Sequence, residues 1–160
     1  MKRTKRLSPY LETEIWDKDE LFSIIKYEQH KRNKTALALL WDLDARPHEI
    51  ALLQLKHIRL NERYGEGEIP HEDKTGSGPI LLASSFPYVR DGLNEHQYKK
   101  ELQARLICSI LDGAPIKADQ INEVMKQLRK RIERLLKNGE ITDKIEKENI
   151  PMLVKINYFL

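Results

Sequence analysis

Apolar positions recur with helical spacing along most of the chain and alternate in one short stretch. Asp17 can cap a first helix, with Glu20 as its capping-box partner and Trp16 and Leu21 as a hydrophobic staple, and that helix should run to Glu28. His30 to Asn33 reads as a connection. A second helix follows from Lys34 to Leu43, with Leu37, Leu40 and Trp41 on one face. Pro47 suits the first turn of a third helix, since its missing N–H costs nothing there, and this helix should reach Leu55 with Ile50, Leu53 and Gln54 inward. His57-Ile58-Arg59-Leu60 alternates as a half-buried strand does. Tyr64 to Gly67 reads as a turn, Glu68 to His71 as a weaker strand, and Pro79 to Leu82 as a third apolar stretch. Lys74 then sits at the tip of the second turn of a small antiparallel meander. Ser84 or Ser85 can cap a helix running to His96, with Pro87 in its first turn. Arg105 to Leu111 is a short apolar run. Ile121, Val124, Met125, Leu128, Ile132 and Leu135 then mark a long helix from Lys117 to Lys137, stopped by Asn138-Gly139. The expected fold class is α+β, mainly α-helical with a small three-stranded antiparallel sheet.

Composition narrows the class. The chain has 160 residues, 33% charged and 40% hydrophobic, as suits one soluble globular domain. It divides into a basic N-terminal arm, residues 1–10, and a domain, residues 11–160. Cys108 is the single cysteine, which excludes an intrachain disulfide and a cysteine-based zinc site. No metal and no cofactor is expected. The apolar stretches are too short to span a bilayer, and no apolar core follows the basic start as in a secretory signal. A reducing, cytoplasmic setting with no membrane partner is the expectation.

Net charge is +3, so nucleic-acid binding is permitted without being demanded. The basic residues cluster: Lys2, Arg3, Lys5 and Arg6 first, then Lys31, Arg32 and Lys34, then Lys126, Arg129, Lys130, Arg131, Arg134 and Lys137. Each cluster can equally be a solvated face.

The order of elements is more informative than the charge. A helix leads into Asp44-Ala45-Arg46-Pro47-His48-Glu49, a Leu-rich helix and strand follow, and a hairpin carries Lys74-Thr75-Gly76. This arrangement resembles the first arginine box and the hairpin lysine of the tyrosine recombinases, or phage integrases, most of all archaeal integrase-like members. The likeness covers about Glu12 to Gly139. Asp44 stands where the family usually has Gly. The resemblance implies a catalytic domain that works on double-stranded DNA, with Arg46, Glu49 and Lys74 as its site residues and with Arg46, Lys56, Arg59 and Lys74 facing DNA.

The chemistry suits those residue types. Transesterification at a DNA phosphate builds charge on the non-bridging oxygens, and a guanidinium can hold two of them with parallel hydrogen bonds. A helix N-terminus beside Arg46 would add positive potential. Glu49 can orient Arg46. By the resemblance, Lys74 would reach the minor groove and protonate the leaving 5′ oxygen. A purely structural Arg46 would instead pair with Asp42, Asp44 or Glu49.

The family's later groups are not found. It has a His-x-x-Arg box and then a nucleophilic Tyr. None of the five histidines, His30, His48, His57, His71 and His96, has Arg three residues on. Tyr158 is the only late tyrosine, and it reads as a packing residue. Losing one preorganised phosphate-stabilising donor costs on the order of a hundred- to thousandfold in rate. The expectation is therefore a truncated catalytic domain, inactive alone, binding DNA weakly through phosphates, with other recombinase protomers as further partners. Ile156, Tyr158, Phe159 and Leu160 should leave an apolar face bare near the long helix. The alternative is a winged-helix DNA-binding regulator, with Thr35 to Leu55 as the helix–turn–helix and the meander as the wing. A helical adaptor that ignores DNA is a third reading.

Overall fold

A computed structural model describes residues 18–70 and 78–140. The first helix, α1 (Lys18–Ile25), buries Leu21, Ile24 and Ile25 on one face. Asp17 and Trp16 of the expected cap lie outside the described residues. The helix stops short of Glu28, which has another task. Its buried carboxylate accepts the Gln29 and His30 N–H groups at 2.9 and 3.1 Å and the Asn33 amide at 3.2 Å. That pins the polar stretch expected to be a connection, so α2 (Lys31–Asp42) begins earlier than its apolar pattern announces.

Helix α2 is the centre of the fold. Ala36 through Leu40 are all buried, because α1, α3, α4 and α5 pack around it. A helix enclosed on every side shows a continuous apolar run instead of one stripe. Helix α3 (Pro47–Leu52) is shorter than its sequence suggests. At Leu53 the chain turns extended, and the following backbone pairs with a distant segment. The Leu55 N–H donates to the Ala104 carbonyl at 2.9 Å, and the Leu106 N–H to the Leu53 carbonyl at 2.8 Å. A single 3₁₀ turn (Leu55–His57) leads into the sheet.

The sheet has strand order β1 (Ile58–Leu60), β2 (Gly65–Gly67), β3 (Ile80–Leu81), antiparallel throughout. The meander is as expected, but its middle strand is the stretch that reads as a turn, and Glu68 to Pro70 form no strand. Packing explains the shift. A Cβ on Gly65 would sit 3.1 Å from the Phe86 ring, and one on Gly67 3.0 Å from Leu43. The middle strand lies so close to the helices that only backbone fits. The register places Arg59, Glu66 and Leu81 in one row on the outer face, with core-facing rows on either side.

Helix α4 (Phe86–Asn94) starts at Ser85, yet neither serine side chain caps it. The Asp42 carboxylate, at the end of α2, accepts the Ser84 and Ser85 N–H groups at 2.9 and 2.7 Å. Arg105 to Leu111 forms no regular element; Leu106 and Ile107 are buried in it. Helix α5 (Ala118–Lys137) buries Ile121, Val124, Met125, Leu128 and Ile132. The bare apolar face expected near this helix turns on Ile156, Tyr158, Phe159 and Leu160, which are not among the described residues. Gly139, at φ +67°, closes the helix: the Glu140 N–H bonds the Leu135 carbonyl and the Gly139 N–H that of Leu136. Residues 1–10 and the segment from Ile156 to Leu160 lie outside the described residues. No helix among those described is long and apolar enough to cross a membrane.

The α2–α4 contact is set by Gly92. A Cβ there would fall 2.2 Å from the Thr35 hydroxyl oxygen, which lies 2.9 Å from both the Lys31 and Tyr88 carbonyls. Gly92→Ala should cost about 1–3 kcal/mol in urea denaturation, as overpacking typically does, and Thr35→Ala in the same chain should recover part of the loss. Equal stability of parent and Gly92→Ala would contradict this packing.

Candidate nucleic-acid interface

The corner between α2 and α3 is built by backbone rules. Helix α2 ends with Asp44 in the left-handed region, φ +47°, while the Asp44 and Ala45 N–H groups bond the Trp41 and Leu40 carbonyls at 3.2 and 3.3 Å. This is the helix-ending motif that ordinarily takes glycine, because a Cβ is disfavoured there; aspartate is among the few residues that tolerate it. The residue noted as a departure from the usual glycine thus occupies a position with a stated backbone reason for glycine.

Arg46 follows in extended conformation, φ −84° and ψ 155°, at the position before α3. The Glu49 carboxylate accepts its backbone N–H at 2.7 Å. Glu49 therefore fixes where residue 46 sits and does not pair with its guanidinium. An arginine side chain has no acceptor, so only this half of a capping box exists. The other acids that might hold Arg46 are otherwise placed. Asp42 is bonded to the Ser84 and Ser85 amides, and no salt bridge joins Asp44 to Arg46 among the described residues. The guanidinium is exposed, on the rim of an open depression of about 550 Å³ lined by Leu40, Trp41, Asp44, Ala45, Arg46 and Pro47.

Help from a helix N-terminus is small. Helix α3 has six residues, its first is a proline, and the Glu49 and Ile50 amides both donate to the Arg46 carbonyl. The side chain at 46 must supply the charge for an anion.

The remaining predicted residues are spread along the chain beyond α3. Lys56 is exposed, its ammonium 3.1 Å from the Gln103 side-chain oxygen. Arg59 is exposed on the outer face of β1, 3.4 Å from Glu68, a pair worth little at the surface. Lys74 lies outside the described residues. Its flanks are placed: β2 ends at Gly67 opposite Ile58, and β3 begins at Ile80 beside Gly67. The chain leaves and re-enters the sheet at the end where Lys56 and His57 lead into β1. His57 accepts the Gln54 N–H on Nδ1 at 3.0 Å. Burial first and then the positive charge of Lys56 lower its pKa from the usual imidazole value; Glu68 opposes them, and Arg105 adds the least.

Two positioning residues escape sequence reasoning. Asp42 ties this corner to the exit of the sheet, and Arg105 donates to the Leu52 carbonyl at the end of α3. Both act across long sequence separations with no local signature. Several clustered cations prove structural. Arg131 reaches the Tyr27 carbonyl at 3.1 Å, Arg32 reaches the Cys108 carbonyl at 2.9 Å, and Arg129 pairs with Glu133. Among the described residues, no group of histidine, cysteine and acidic side chains is arranged to hold a metal ion.

The fold has a counterpart among solved structures. The crystal structure of XerA recombinase superposes over 95% of this chain and 50% of its own, with a TM-score of 0.61 and 14% sequence identity. The present chain spans about half the length of that recombinase, and the likeness is one of fold. No protein-family model and no curated protein matches the sequence.

Asp44→Gly should raise stability by up to about 1 kcal/mol in thermal or urea unfolding, because glycine relieves the left-handed strain. A loss of stability would mean that the Asp44 side chain holds the corner.

Proposed function

We propose that this chain is a DNA-recombination module of the tyrosine-recombinase kind, gripping a DNA phosphodiester with Arg46 and Lys74. The observation that carries this reading is the exposed Arg46 guanidinium, unpaired among the described residues, on a corner whose backbone is fixed by Glu49 and the α2 ending. The recombinase-like fold supports it, as does the place of Lys74 in the sequence between β2 and β3. Arg46 binds two non-bridging oxygens, Lys74 faces the leaving 5′ oxygen, and Lys56 and Arg59 contact flanking phosphates. Glu49 is a positioning residue, acting through the Arg46 backbone. The partner is double-stranded DNA, held weakly and by phosphates; other recombinase protomers are the natural further partners on the same DNA. The winged-helix alternative is disfavoured by α3 itself, which has six residues and turns Ile50 and Ala51 into the core, leaving few groups to read bases.

Strand transfer needs more than this half of a site. These 160 residues hold no His-x-x-Arg box, and nothing ahead of Tyr158 resembles one. A polypeptide of this sequence should therefore bind duplex DNA without forming a covalent adduct. Fluorescence anisotropy across a salt series tests the binding. About four phosphate contacts give log K against log salt a slope of about −3.6. Arg46→Ala and Lys74→Ala should each lower its magnitude by about one. Unchanged slopes in both variants, or an SDS-resistant protein–DNA species, would overturn this reading.

A further inference from the structure

The most exposed large apolar side chain among the described residues belongs to neither the core nor the Arg46 corner. Leu111 is 97% exposed, and Ile110 beside it 44%. They sit on a loop that is firmly held. The Ser109 N–H donates to the Ala114 carbonyl at 2.7 Å, the Gly113 N–H to the Ser109 carbonyl at 3.0 Å, and the Ala114 N–H to the Asp112 carboxylate at 3.1 Å. Cys108 and Pro115 close the loop as a β-bridge. Gly113, at φ +69°, packs so tightly on Gln97 and Tyr98 that a Cβ would lie 2.6 Å from each side-chain oxygen. The loop thus presents a leucine to water on a preorganised support. Such presentation lowers the ordering cost of binding.

A receptor of matching chemistry lies on the same surface. A cleft of about 180 Å³ opens between the start of α2, the end of α4 and the strip leading into the loop. Its lining is mostly apolar, with Leu106, Ile107 and Ile110, and its rim carries His30 and Lys31. Ile110 belongs to both features, so projection and cleft are neighbours. A surface that carries a projection beside a hollow can pair with its own copy about a two-fold axis. Charge agrees on balance: Asp112 is next to Leu111 on the projection, and the cleft is lined by His30, Lys31 and Arg32 against one carboxylate, Glu95. Lys31 already pairs with Glu95, but both groups are about half exposed, so that pair exchanges at little cost.

A thiol–imidazole site in this cleft is not what the geometry builds. The His96 Nε2 lies 2.9 and 3.1 Å from the Arg105 and Leu106 carbonyls, and so carries the proton. The Cys108 thiol donates to the Arg105 carbonyl, and burial pushes its pKa up despite Arg32 and Arg105. Neither group is prepared for nucleophilic chemistry.

We infer that the loop from Ser109 to Ala114 is a docking element for a second copy of this chain, each Leu111 entering the partner's cleft while Asp112 faces the partner's His30 and Lys31. The contact involves one loop and one cleft rim per copy, less than a standard stable interface. It is therefore a weak, concentration-dependent dimer. It does not rest on the DNA reading.

Sedimentation equilibrium of the 160-residue chain without DNA tests it. The expected result is a monomer–dimer equilibrium that Leu111→Asp weakens at least about a hundredfold, since two buried leucines are lost per dimer. Because Leu111 touches almost nothing in its own chain, the variant should melt at the parent temperature, which separates lost docking from lost folding. His30→Glu with Lys31→Glu should also weaken the dimer, because it changes the charge facing Asp112 without touching the loop that carries Leu111. A parent that stays monomeric at several hundred micromolar would overturn the proposal. So would dimerisation indifferent to Leu111→Asp, or open-ended oligomers in place of a closed dimer.

Discussion

The arrangement around Arg46 hangs on one carboxylate. Asp42, the last residue of α2, accepts the two amides at the start of α4 and so fastens the exit of the sheet to the corner from which α3 departs. Buried or half-buried amides without a partner cost on the order of 1–3 kcal/mol each, so this tie is strongly preferred. The corner is held by Asp42 on one side and by Glu49 on the other, and the left-handed Asp44 sets the angle between α2 and α3. With three acids used for geometry, none neutralises the guanidinium. An arginine kept uncompensated at a fixed backbone position is a poor choice for stability and a sensible one for an anion that arrives from outside.

Some of the clustered charge builds the fold. Counting Lys and Arg gives three basic clusters, yet Arg32 and Arg131 serve the α1–α2 connection and its neighbours, and Arg129 pairs along its own helix. Of the candidate site residues, Arg46, Lys56 and Arg59 are exposed, on or just beyond the short path from α3 into β1, and Lys126, Lys130, Arg134 and Lys137 of α5 are exposed as well. The sheet's far connection, which carries Lys74 in the sequence, departs from that same end.

Local signals were readable wherever local physics decides. Helix α5 and its glycine stop, Pro47 at the start of α3, and the alternating His57 to Leu60 stretch could all be placed from sequence. The errors arise where distant partners win. Gly65 and Gly67 look like a turn because glycine usually is one; they are a strand because Leu43, Leu82 and Phe86 leave no room for side chains. Helix α3 loses its last turn because the backbone around Ala104 competes for the Leu55 amide. Ser84 and Ser85 look like caps, but the capping oxygen comes from Asp42. At the site, Arg46 and Glu49 were visible as a spaced pair, whereas Asp42 and Arg105 act over gaps that no short motif encodes.

In the proposed function Arg46 and Lys74 meet at one phosphodiester, and a double-mutant cycle on DNA affinity probes that most directly. Parent, Arg46→Ala, Lys74→Ala and the double variant would be titrated against one duplex at fixed low salt. Groups that share a phosphate should show a coupling of about 0.5–3 kcal/mol, so the double loss departs from the sum of the single ones. Losses that add within about 0.3–0.5 kcal/mol would mean that the two cations never meet at the same linkage.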